Sequence, residues 1–144
     1  MPTSAAGNKS NLLPAATSLA LSQARVRAQS RARAALGFTL IEDTVMSETK
    51  RWVVVSPGKN GCQLLLAKAA NELQLTRVGD QTGGRVFLFM HTDDIKSDEA
   101  RLRNEGIRIV RGPVSEPYGE VLVFEDLYGN LWDLIEPAKD RKFG

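Results

Sequence analysis

Asp133 lies in the stretch DLYGNLWDLIEP, residues 126–137, with apolar neighbours on a run that reads as a tight turn feeding a strand. A carboxylate in that setting is costly to bury without a partner. Three chemistries are open to it. It can ligate a metal, accept a hydrogen bond from a small molecule, or act as a general base with a pKa raised by burial. A structural ion pair with Arg51 or Arg85 is the plain alternative. His91, the only histidine, is the other group suited to proton transfer near neutral pH. It reads equally well as a strand-end residue beside Asp93 and Asp94. These two residues are the only catalytic candidates.

Walls for a pocket come from aromatic residues. Strand alternation in VFLFMH puts Phe87, Phe89 and His91 on one face and Val86, Leu88 and Met90 on the other. Trp52 shares a face with Val54 and is a candidate wall, with Arg51 on the opposite side. Trp132 alternates away from Asp133 and belongs to the core. The ligand-binding set is therefore Trp52, Phe87, Phe89, His91 and Asp133. SEPYGE, with Tyr118, reads as a surface loop at the edge of that set. Cys62 starts a strand and reads as a small buried residue. Gly83 and Gly84 precede a strand rather than a helix, so they form a turn and not a phosphate cradle.

These residues are positioned by a repeat. Residues 37–69 and 106–138, 33 residues each, superpose without a gap at an offset of 69. The matching pairs include Phe38 with Ile107, Leu40 with Ile109, Val54 with Val123 and Leu66 with Ile135. Each half reads as three strands: FTLIEDT, RWVVVS and CQLLLAKA, then IRIVRG, EVLVFED and LWDLIEPA. Asn60-Gly61 and Gly129-Asn130 mark the turns before the last strands. Upstream of the second half, RVFLFMHTDD is a strand and IKSDEARLRNEG an amphipathic helix, capped by Asp94 and closed by Gly106. The offset places a matching strand at ATSLAL and a matching helix at VRAQSRARAALG. The fold class is α+β, two tandem β-α-β-β-β modules forming a curved, cup-like mixed sheet.

Bulk properties narrow the function. The 144 residues, 42% hydrophobic and 25% charged, suit one soluble domain. Residues 1–41 hold Lys9, Arg25, Arg27, Arg31 and Arg33 and no acid. The other 14 of the 19 basic residues share residues 42–144 with all 17 acids. The acidic balance of that part argues against nucleic acid or an anionic membrane as partner. No apolar run nears the ~20 residues of a membrane span. With one cysteine, a reducing compartment is expected, and the localisation is cytoplasmic.

Paired modules carrying LGFTLIED before the first hairpin and FEDLYGNLWDLIEP at the end resemble the vicinal oxygen chelate superfamily. That group includes glyoxalase I, bleomycin-resistance proteins and extradiol dioxygenases. QTGGRVFLFMHTDD is similar to its glyoxalase-like branch. The resemblance implies a cup with metal ligands on two strands per module, which fall at Ser18, Leu64, Phe87 and Asp133. Leu64 and Phe87 cannot ligate and a serine hydroxyl is a poor ligand, so no cofactor is expected. Homodimers are implied, because module pairing in the family often crosses subunits.

The first 35 residues fit the family poorly: Arg31 and Ala32 stand where a bulky aromatic pair is usual. A thinly packed first helix, a removable targeting peptide and a shifted reading frame each explain this. The expected organisation is a disordered terminus at 1–14, a domain at 15–138 and a tail at 139–144. The domain divides into a module at 15–69, a linker at 70–84 and a module at 85–138. The expected function is binding of a small organic molecule in a cup without a complete metal site. A metal-dependent lyase, isomerase or dioxygenase and a non-catalytic structural dimer are the alternatives.

Overall fold

The computed structural model describes residues 34–58 and 62–140. The strand expected at ATSLAL, most of the first helix, Ser18, the 1–14 terminus, the Asn60-Gly61 turn and the end of the tail lie outside the described residues. Residues 34–36 are helical. They lead into the antiparallel sheet of β1 (Thr39–Val45), β2 (Arg51–Ser56) and β3 (Leu64–Leu65), in that order. A short helix α1 (Glu72–Leu75) follows in what reads as a linker. Asn71 caps it by accepting from the Gln74 amide at 2.9 Å, and the Gln74 side chain accepts from the Ala70 amide at 2.7 Å.

The second module is the expected β-α-β-β-β unit. It runs β4 (Val86–His91), α2 (Ile95–Asn104), β5 (Ile109–Glu116), β6 (Gly119–Glu125) and β7 (Leu131–Pro137). Its strand order is β4-β7-β6-β5, with β4 parallel to β7 and the other pairs antiparallel. SEPYGE is not an open loop. Glu116 pairs with Gly119, so Pro117 and Tyr118 form a tight hairpin turn.

Both ends of α2 are fixed as the sequence indicates. The Asp94 carboxylate accepts from the Ser97 amide at 3.0 Å, and Gly106 ends the helix at φ +68°. Glu136 adds a tie that periodicity did not reveal: its carboxylate accepts from the Ile95 amide at 2.8 Å, joining β7 to the helix start. The acid also sits where the helix dipole favours negative charge.

The two sheets share one core. Phe38 and Val55 from the first module pack with Ile95, Leu102, Leu122, Phe124, Trp132 and Leu134 from the second, and Leu40, Leu64 and Leu66 flank them. Trp132 is its aromatic centre. It stacks on Phe124 at 6.2 Å and meets the edges of Phe38 and Phe87 at 6.2 and 6.0 Å. On α2, Arg101 donates to the Ala35 carbonyl at 3.0 Å, linking the modules by a polar contact as well. Among the described residues, no helix is long and apolar enough to cross a membrane.

Candidate functional site

The DLYGN turn sets the strand that carries Asp133. The Asp126 carboxylate accepts from the amides of Tyr128 (2.9 Å) and Asn130 (3.0 Å), from Asn130 Nδ2 (2.9 Å) and from Trp132 Nε1 (3.3 Å). One side chain thus closes the turn and clamps the indole of the core. Gly79, at φ +82°, lies against the Tyr128 carbonyl where a Cβ has no room.

With Trp132 turned inward, Asp133 points out of the other face of the sheet. There the register lines up two rungs. Phe89 pairs with Asp133, Asp133 with Val123, and Val123 with Arg111. The next rung is His91, Ile135, Val121 and Val114. Val121 and Val123 are buried and form a floor, while Phe89 is 63% exposed. The rings of Phe89 and His91 lie 5.6 Å apart.

Burial raises the Asp133 pKa above the usual carboxylate value, and the nearby Arg111 charge opposes part of that rise. The ion pair formed by Arg111 is with Glu116, at 2.5 Å. The electrostatic neighbour of Asp133 is therefore Arg111, not Arg51 or Arg85. Arg51 instead pairs with Asp43 on the face opposite Trp52. Strict alternation from Ile107 and Ile109 would have put Arg111 on the core side. A register shift between Ile109 and Arg111 turns it outward.

Three other expected placements change. Phe87 sits at a register shift between Val86 and Leu88, and its ring packs edge-on against Trp132 rather than beside Asp133. Leu64 pairs with Val55 and packs on the core, while Leu65 pairs with Val54 on the Trp52 face. The structural counterpart of Asp133 is therefore Leu65, one residue from the position given by the offset. Cys62 is exposed, because β3 begins only at Leu64 and leaves it outside the strand.

Trp52 is 37% exposed and lies on the outward face of the first sheet. Because the two sheets share a core, this face and the Asp133 face both point away from it. A single chain does not bring Trp52 beside Asp133. A cavity of about 330 Å³ opens next to Phe89 and His91, bounded by Leu36, Phe38, Cys62, Met90 and Leu102, but Asp133 and Trp52 are not in its wall.

The described residues do not fit the metal site that the resemblance implies, whose fourth position, Ser18, lies outside them. Leu65 and Phe87 offer no ligand atoms, and among the described residues no three His, Cys, Asp or Glu side chains cluster closely enough to hold an ion.

Comparison with known proteins agrees with this architecture. An uncharacterized protein of Shewanella frigidimarina (strain NCIMB 400) is 57% identical over 103 residues, 70% of this chain and 76% of that one. TnmS3, an antibiotic binding protein from Streptomyces sp. CB03234, is 27% identical with a TM-score of 0.64, covering 79% of this chain and 87% of its own. A glyoxalase/bleomycin resistance protein from the same Streptomyces is 26% identical with a TM-score of 0.60, over 78% and 90% of the two chains. The family model for the Glyoxalase/Bleomycin resistance protein/Dioxygenase superfamily matches residues 33–134, and the chain belongs to that superfamily.

Proposed function

We propose that this protein binds a small organic molecule on the Asp133 face, without a metal of its own, as a cytoplasmic homodimer. In the dimer, the Trp52 face of one copy closes over the Asp133 face of the other. The observation that carries this reading is the outward face itself. It joins an exposed aromatic, an apolar floor and one half-buried carboxylate, the composition of a small-molecule site with few polar anchors. Exposed Trp52 and Leu65 on the other sheet supply an apolar counterpart. The antibiotic-binding neighbour supports ligand capture as the activity.

The test joins elemental analysis and sedimentation of the purified protein to thermal-shift screening against divalent metals and a panel of small organic compounds. A metal-free dimer stabilised by organic compounds, with Phe89→Ala losing that stabilisation but not its fold, is the expected result. A stoichiometric bound metal overturns the metal-free reading. A monomer that still binds overturns the composite cup.

A further inference from the structure

The rung Phe89–Asp133–Val123–Arg111 fixes more than the presence of a site. It orders four chemistries across neighbouring strands on one face: an aromatic ring, a hydrogen-bond acceptor, an apolar floor and a guanidinium donor. The Cα atoms of Asp133 and Arg111 are two strand spacings apart, roughly 10 Å. Val123 fills the gap between them and offers no polar atom from its side chain. Glu116 holds the Arg111 guanidinium on this face through its ion pair and leaves the group half exposed. Among the described residues the Asp133 side chain takes part in no ion pair or hydrogen bond, and burial disfavours its charged form.

We propose that the site selects flat apolar molecules with a hydrogen-bond donor at one end, for Asp133, and a carbonyl or carboxylate acceptor at the other, for Arg111. This rests on the small-molecule reading above and adds the ligand class to it. A hydroxyl or amine at the first end donates to the Asp133 carboxylate. At the second end, the guanidinium offers the paired N–H geometry suited to a carboxylate. The body between them lies over Val123, and the Phe89 ring, on the other side of Asp133, borders the donor end. A molecule without the donor leaves the half-buried Asp133 carboxylate unmatched, and one without the acceptor forgoes the contact with Arg111; each loses affinity for that reason.

Four probes separate these contributions: 6-hydroxy-2-naphthoate, 2-naphthoate, 2-naphthol and naphthalene, titrated into the intact protein by ligand-observed NMR. The hydroxynaphthoate is expected to bind tightest. Removal of either polar group should weaken it about tenfold, the yield of one charge-assisted hydrogen bond. Arg111→Met should abolish the advantage of the carboxylate and keep that of the hydroxyl, and Asp133→Leu, which removes the acceptor, should do the reverse. The comparison among probes on the unaltered protein stands even if a variant fails to fold. Equal binding of all four probes overturns the selectivity and leaves small-molecule binding intact. No binding by any of them overturns both.

Discussion

Replacing Asp126 with alanine removes the acceptor for four donors at once: two backbone amides, the Asn130 side-chain amide and the Trp132 indole. The Tyr128 amide is exposed and can turn to water, so its loss costs little. The other three donors are partly buried. At about 1 kcal/mol for each net hydrogen bond, the loss is about 3 kcal/mol. For a domain of this size that lowers the midpoint of thermal unfolding by roughly 6–12 °C. The assay is urea unfolding of Asp126→Ala beside Trp132→Phe, which deletes the indole donor but keeps an aromatic ring. The single-donor variant is expected to lose about a third as much from hydrogen bonding, plus a packing cost from the smaller ring. A double-mutant cycle isolates the coupling between Asp126 and Trp132. Asp126→Ala within about 0.5 kcal/mol of the parent protein, the range of an ordinary surface change, would refute the idea that this carboxylate organises the turn.

Three further outcomes are expected. The folded-state pKa of Asp133 is raised, so the native protein holds this proton longer than the unfolded chain, and stability falls as pH rises from about 4, the ordinary carboxylate value, through the raised one. Asp133→Asn should therefore flatten that part of the stability–pH curve in equilibrium unfolding and be no less stable than the parent at neutral pH; a variant less stable at neutral pH would contradict the sign. Gly79→Ala combines a left-handed backbone with a collision against the Tyr128 carbonyl and should cost roughly 2–4 kcal/mol, measured by denaturant unfolding. Glu136→Ala should cost about 1–2 kcal/mol and speed hydrogen exchange at the Ile95 amide, whose acceptor it removes.

The helix and last strand of the second module were legible because their signals have a single reading. Asp94 and Gly106 bracket one amphipathic run, and LWDLI alternates cleanly enough to send Trp132 inward and Asp133 outward. The first module was not, for a local reason. Leu64, Leu65 and Leu66 are three leucines in a row, and such a run contains no alternation from which to set a register. The one-residue slip that exchanges Leu64 for Leu65 is invisible until the strand is paired. The same limit hid Arg111 and misplaced Phe87. Both lie at register shifts, where an extra residue reverses the facing of the chain, and neither IRIVRG nor RVFLFM marks one by composition. The role of Asp126 had a readable signal that went unused: an aspartate two residues before a tyrosine amide and four before Asn-Leu-Trp suits an Asx turn.

The separation of the two faces of the second sheet has a consequence for how such a chain can change over generations. Trp132, Leu122 and Phe124 hold the fold from the inner face, while Phe89, Asp133 and Arg111 stand on the outer one. Substitutions in the outer set leave the inner packing untouched, and loss of the half-buried carboxylate even relieves a desolvation cost. The ligand preference proposed for this face can therefore drift by single steps with little risk of unfolding. On that proposal, a lineage built on this chassis is free to follow new molecules as they appear in its surroundings.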